Sequence, residues 1–131
     1  MTAQLVRDYL VSVGQAVSGT SSGAAWVALV NGHSDAIDAP QLAIIDTPGL
    51  PPQDSHDKPT PLQAGVQILV RGRPGDYSQT AAKVGSVWGA LHTAKFSGVL
   101  QVRGVNNPIW LGYTSDERRP RWSLNFIVTT E

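Results

Sequence analysis

From Val66 onward the apolar pattern changes period twice, and that limits the architectures open to this chain more than any other feature. Val66, Ile68 and Val70 alternate with Gln67, Leu69 and Arg71, the two-residue period of a half-buried strand. Tyr77, Ala81, Val84, Trp88 and Leu91 then recur at helical spacing. Gly98 to Thr130 returns to strand patterning and ends on Trp122, Leu124, Phe126 and Val128, alternating with Ser123, Asn125 and Ile127. A strand, a helix and three strands joined by short turns imply helices on a largely antiparallel sheet, the α+β class, with two helices once the first segment is counted.

The first segment places Leu5, Val6, Tyr9, Leu10 and Val13 on one helical face, with Thr2 as the expected cap. Gly19-Thr20-Ser21-Ser22-Gly23 breaks that helix. Trp26 to Val30 is a short apolar run closed by Asn31-Gly32, a dipeptide suited to a hairpin turn. Leu42 to Asp46 reads as a buried strand. Thr47 to Pro61 holds five prolines and one glycine, so a long extended loop is expected over about 47–64. Loops of that length in a compact domain are commonly functional or disordered.

Gly72-Arg73-Pro74-Gly75 turns the chain into the second helix, capped by Asp76 or Ser78. Gly85 and Gly89 sit inside that helix, at a cost near 1 kcal/mol each relative to alanine, and are expected where another backbone approaches. Leu100 and Val102 alternate with Gln101 and Arg103, Asn106-Asn107-Pro108 turns into Ile109 to Tyr113, and a charged loop from Asp116 to Pro120 precedes the final strand. By their spacing, Trp26, Trp88, Trp110 and Trp122 are read mostly as core, with one or two as interface anchors.

At 131 residues the chain is expected to form a single domain, residues 1–131. It has no cysteine, which excludes disulfides and thiolate metal sites. No basic leader segment and no apolar run of membrane-spanning length is seen, so a protein made in the cytoplasm, soluble and without a membrane partner, is expected. Charged residues make up 15% of the chain, against roughly 25% in typical soluble proteins, and the net charge is zero. The signs are segregated. Met1 to Asp57 holds one basic and six acidic residues, a net of −5, and Lys58 to Glu131 holds nine basic and four acidic, a net of +5. Such halves either pair head to tail between copies or interleave within the fold and cancel.

Each motif with chemical potential has a plainer reading. Gly19 to Gly23 matches the G-x-S-x-G pattern of serine hydrolases, but it follows a helix where that chemistry requires a sharp strand-to-helix turn. None of His33, His56 and His92 has a local signature around it. Asp46-Thr47-Pro48-Gly49 mimics the D-x-x-G of GTPases without an upstream phosphate loop. Gly72 to Gly75 resembles the GXXG clamp of KH domains, but it joins a strand to a helix where the clamp joins two helices. Arg118, Arg119 and Arg121 beside Trp122 suit phosphate contact, or, with Asp116 and Glu117 adjacent, a solvated or interfacial charge cluster. Asp54, His56 and Asp57 suit a metal only with further ligands at ligand spacing, and a polar loop is the better reading. No enzyme activity and no cofactor is expected; function is expected from surfaces.

The order of segments resembles a known family. Leu42-Ala-Ile-Ile-Asp-Thr-Pro-Gly-Leu-Pro-Pro52 leads into a polar loop. Val66-Gln-Ile-Leu-Val-Arg-Gly72, a helix from near Asp76-Tyr77 to Ala90-Leu91-His92, and Arg121-Trp-Ser-Leu-Asn-Phe-Ile-Val128 follow. From about Leu42 onward this resembles the phage minor capsid protein family that belongs with the tail terminators of long-tailed (siphovirus-like) bacteriophages. The resemblance implies a virion protein of the tail and neck. Its subunits would form a homo-hexameric ring that caps the tail tube, ends tube polymerisation and offers a head-tail joining surface. The implied partners are other copies of the chain, the major tail tube protein and a head-completion or connector protein, with DNA passing through the lumen without sequence-specific binding. Interface or lumen roles are then expected for Arg71, Arg73, Arg118, Arg119 and Arg121, and for Pro51, Pro52, Asp54 and Asp57 in the loop. The alternatives are another neck protein, such as a head-tail stopper or connector, and a small nucleic-acid-binding module using the Gly72 to Gly75 turn and the arginines. An esterase acting through Ser21 is a third, more remote alternative.

Overall fold

The computed structural model describes residues 2–18, 26–33, 39–47, 62–96 and 98–130. In chain order these form α1 (Thr2–Ser12), β1 (Val17–Ser18), β2 (Val27–Val30), β3 (Gln41–Thr47), β4 (Leu62–Arg71), α2 (Tyr77–Leu91), β5 (Val99–Gly104), β6 (Ile109–Tyr113) and β7 (Pro120–Thr130). The strands build one sheet of order β1-β2-β3-β4-β7-β5, with β6 also paired to β7. The fold is α+β, as expected, but the sheet is mixed. The β1-β2 and β2-β3 pairs are parallel, and every other pair is antiparallel.

The hairpin expected at Asn31-Gly32 is therefore not formed. Asn31 (φ 75°) and Gly32 (φ 148°) turn the chain out of β2, and it re-enters beside β2 in the same direction as β3. The strand expected from Val66 begins earlier, at Leu62, because β4 stays paired to β7 over ten consecutive rows. The proline-rich segment between β3 and β4 lies outside the described residues.

Register explains the core. Leu42, Val70 and Trp122 share a row across β3, β4 and β7; Ile44, Ile68 and Leu124 share another; Val66 faces Phe126, and Val128 faces Val102. Partnered residues project to the same face, and both helices lie on that face. α1 sits over β2 and β3, and α2 over β7 and β5. Val6 and Leu10 of α1 and Val84, Val87 and Leu91 of α2 close the same core cluster as the strand residues. Each large aliphatic side chain buried there contributes roughly 1.5–3 kcal/mol.

The buried stripe of α2 is Thr80, Val84, Val87 and Leu91, rotated from the expected one. Tyr77 is 44% exposed, and Trp88 is only half-buried. Among the described residues no backbone approaches Gly85 or Gly89; open space surrounds both. The close approaches are elsewhere. A Cβ on Gly104 would collide with the Trp88 ring, and one on Gly72 with the Thr80 side chain. A bulge between Val99 and Gln101 turns Leu100 outward and leaves Val99 and Val102 as the buried pair of β5.

Helix ends follow the same logic. The Ala3 N–H in the first turn of α1 donates to Asp46 Oδ1 on β3 at 2.9 Å, so a neighbouring strand supplies the cap that Thr2, itself inside the helix, does not. At α2 the expected Asp76 accepts from the Gln79 N–H at 3.3 Å, and the Thr80 hydroxyl donates to the Asp76 carbonyl at 2.6 Å.

Candidate interaction surface

β5 and β6 both run antiparallel to β7, one after the other along the same side of it. They form one edge interrupted at residues 105–108, held in the gap by the Val105 N–H donating to the Asn125 carbonyl at 2.9 Å. Among the described residues β6 pairs with β7 alone, which leaves its far side as an open sheet edge there. Proteins usually protect such edges with charge, proline or a bulge, because unpaired N–H and C=O groups invite another chain. The β6 sequence Ile-Trp-Leu-Gly-Tyr has no charge, and every residue but Gly112 is exposed. Val105, 56% exposed, extends the apolar run.

A bulge between Trp110 and Gly112 adds a residue to β6, with Gly112 at φ 88° in the left-handed region that glycine adopts without strain. Trp110 is in register with Trp122 on the helix-bearing face. There the rings form a connected array. Tyr77 from the first turn of α2 meets Trp110 edge-on at 5.2 Å and Trp122 at 6.1 Å. Trp110 meets Trp122 at 5.2 Å and Tyr113 at 5.3 Å. The Arg118 guanidinium lies 4.9 Å over the Tyr113 ring. Rings at these separations attract one another beyond their shared burial. Yet Tyr77, Trp110 and Tyr113 stay at least 37% exposed, so much of this aromatic surface faces outward.

The five arginines singled out from the sequence serve different ends. Arg119, expected at an interface, is turned inward: its side chain is 8% exposed, pairs with Glu117 at 2.9 Å and donates to the Gly72 carbonyl at 3.3 Å. With Gly72 N–H on the Pro120 carbonyl and Gly75 N–H on the Arg118 carbonyl, both at 3.0 Å, it pins the Gly72 to Gly75 turn to the loop before β7. The clamp-like glycine turn is thus a structural joint. Arg118 takes φ 53° and reaches the aromatic array. Arg71 and Arg121 are partners in register on the opposite face, where Arg121 donates to the Leu111 carbonyl at 3.3 Å. Arg73 lines a hollow of about 200 Å³ with Trp26, Pro40, Asp76, Gln79 and Thr80. Pro51, Pro52, Asp54 and Asp57 lie outside the described residues, as does Ser21.

Asp46, which mimics a GTPase aspartate in sequence, and Asp116 of the charged loop both have local duties. Asp46 caps α1, and Asp116 is held below its usual range chiefly by the Glu117 N–H, with Arg71 a lesser influence. Lys83 is lowered by burial and lies 5.8 Å over the Trp26 ring. Among the described residues no three histidine or acidic side chains gather in a metal-ligand group, and no helix is long and apolar enough to cross a membrane.

The helical spacing places Tyr77 on the buried stripe, where it does not lie, and the strand spacing leaves open which tryptophan is exposed; Trp110 is. The available signal for Trp110 was the three successive apolar residues Ile109-Trp110-Leu111, which break the alternation a half-buried strand keeps. A comparison with models of known protein families finds none that matches this chain, and a comparison with curated proteins finds no match either.

Proposed function

We propose that this chain is a structural assembly subunit, and specifically a tail terminator: a protein that closes into a ring on the end of a phage tail tube, stops its growth and offers a joining surface to the head. The observation that carries the reading is the uncharged, exposed edge of β6, flanked by the aromatic array of Tyr77, Trp110 and Tyr113. A surface of this kind is a liability for a free monomer and an asset for a subunit that pairs with a neighbour. The segment order from Leu42 to Val128 supplies the specific role, and the hexameric state and the tube and connector partners come with it.

The test is the mass of the purified protein by light scattering, with negative-stain images of the same fraction, alone and after adding tail tube protein. Rings of a fixed small number of copies support the proposal. A monomer under both conditions overturns it.

A second reading draws on the face without described helices. Its strand positions include Arg71, Arg103 and Arg121 with Gln67 and Asn125, and no carboxylate among the described residues. A nucleic-acid-binding module would use this face, and DNA affinity falling steeply with salt would favour it. In a ring the same face suits a lumen that DNA passes without being read.

A further inference from the structure

Lys83 is a half-buried cation whose partners among the described residues are all neutral. It projects from α2 toward the chain between α1 and β1, where its Nζ donates to Gln15 Oε1 at 3.2 Å. The same Nζ lies 5.8 Å over the Trp26 ring. An amide oxygen and an indole face each carry only partial negative charge. Burial holds the ammonium below its ordinary range, and no neighbouring carboxylate offsets that effect. A cation drawn out of water without a counter-ion is costly, and an anion in good geometry repays the cost.

Lys83 stands in a hollow of about 420 Å³, within the range of roughly 300–1,000 Å³ that small organic ligands occupy. Val11, Ala16 and Val17 give it apolar walls, Trp26 an aromatic one, and Gln15 and Lys83 its polar groups. Lys83 is the one charged residue among these. We propose that this hollow binds a small organic carboxylate with an apolar, ring-bearing body, its carboxylate on Lys83 and Gln15 and its ring against Trp26.

Each part of that ligand answers a group in the hollow. An ammonium has three donors, so Lys83 can keep its bond to Gln15 and still bind a carboxylate oxygen at about 2.7–2.9 Å. The Gln15 amide N–H groups are donors for the second oxygen. Because Nζ sits over the indole, a body attached to that carboxylate starts out against Trp26 and Val17, and a ring gains there beyond its buried area. The charge is limited to one. An adjoining hollow of about 200 Å³ shares Trp26 but is lined by Asp76, which opposes a second anionic group on that side. The Lys83 hollow has no lining residue in β6 or in the aromatic array, so the site does not depend on the self-association argued above.

The experiment titrates 2-naphthoate into the whole protein by calorimetry, with neutral 2-naphthamide and with acetate as the head group alone. Saturable binding of the naphthoate is expected, weakened by about tenfold or more, near 1.4 kcal/mol, for the naphthamide, for acetate and for the Lys83→Met protein. Methionine keeps an apolar stem and suits a helix, and the two control ligands leave the protein unchanged, so their weaker binding is not a folding defect. Val17→Asp, at a wall residue 39% exposed, puts a negative charge in the hollow and should weaken the naphthoate by a similar factor. No saturable binding, equal binding by the naphthamide, or unchanged affinity in Lys83→Met overturns the inference. Capture of a peptide ending in a free phenylalanine carboxylate, without binding of the naphthoate, also overturns it and makes the hollow a site for a chain terminus.

Discussion

Arg118 and Arg119 are neighbours with opposite fates, and the backbone decides which is which. The positive φ at Arg118 throws its side chain outward over Tyr113, while Arg119 turns under the loop onto Glu117 and the Gly72 carbonyl. Arg119→Ala should therefore cost about 1–3 kcal/mol, because it strands a carbonyl and empties the joint between the β4–α2 turn and the loop before β7. Arg118→Ala should change stability by less than about 0.5 kcal/mol. Urea unfolding of both variants checks the contrast. Asp46 makes a similar point, since a residue that imitates a nucleotide-binding aspartate in sequence holds the first turn of α1 in the fold. Asp46→Ala should lose about 1 kcal/mol, and Asp46→Asn, which keeps an acceptor oxygen, much less, by the same measurement. Neither role was legible in the sequence. A cap reaching over from 43 residues away, and a φ near +50° at an arginine, leave no local pattern.

At the scale of elements, the strands and helices that bury one face were legible. The alternation of Val66, Ile68 and Val70, and of Leu124, Phe126 and Val128, matches the faces that the core covers. The sequence pattern is misleading where a single extra residue resets the alternation, at the bulges beside Leu100 and Leu111, and where side-chain type alone does not fix which face a residue takes. Tyr77 and Trp88 keep helical spacing but sit on the shoulder of α2, while Thr80 and Val87 face the sheet. Asn31-Gly32 has the chemistry of a tight hairpin, yet ten residues separate β2 from β3 in sequence and the two strands are parallel. The exposed β6 edge has its own consequence. Leu111→Lys places a charge on it without touching the core and should leave the unfolding transition within about 0.5 kcal/mol, while abolishing self-association in size-exclusion chromatography. An unchanged elution volume in a wild type that assembles would remove β6 from the interface.

Across the whole molecule, the described parts of the two sequence halves do not interleave, although of the six acidic residues in the first half only Asp8 and Asp46 are among the described residues. Among the described residues, α1 and β1 to β3 form one flank of the sheet, and β4 to β7 with α2 form the other. The flank rich in basic residues carries the β6 edge and the aromatic array. On the proposed reading, such a molecule meets copies of itself head to tail. The most direct measurement is light scattering with negative stain on the purified protein, with and without tail tube protein. The account predicts closed rings of fixed copy number that cap tube ends and disappear in Leu111→Lys. A protein that remains monomeric in both conditions, or that lengthens tubes without capping them, would contradict it.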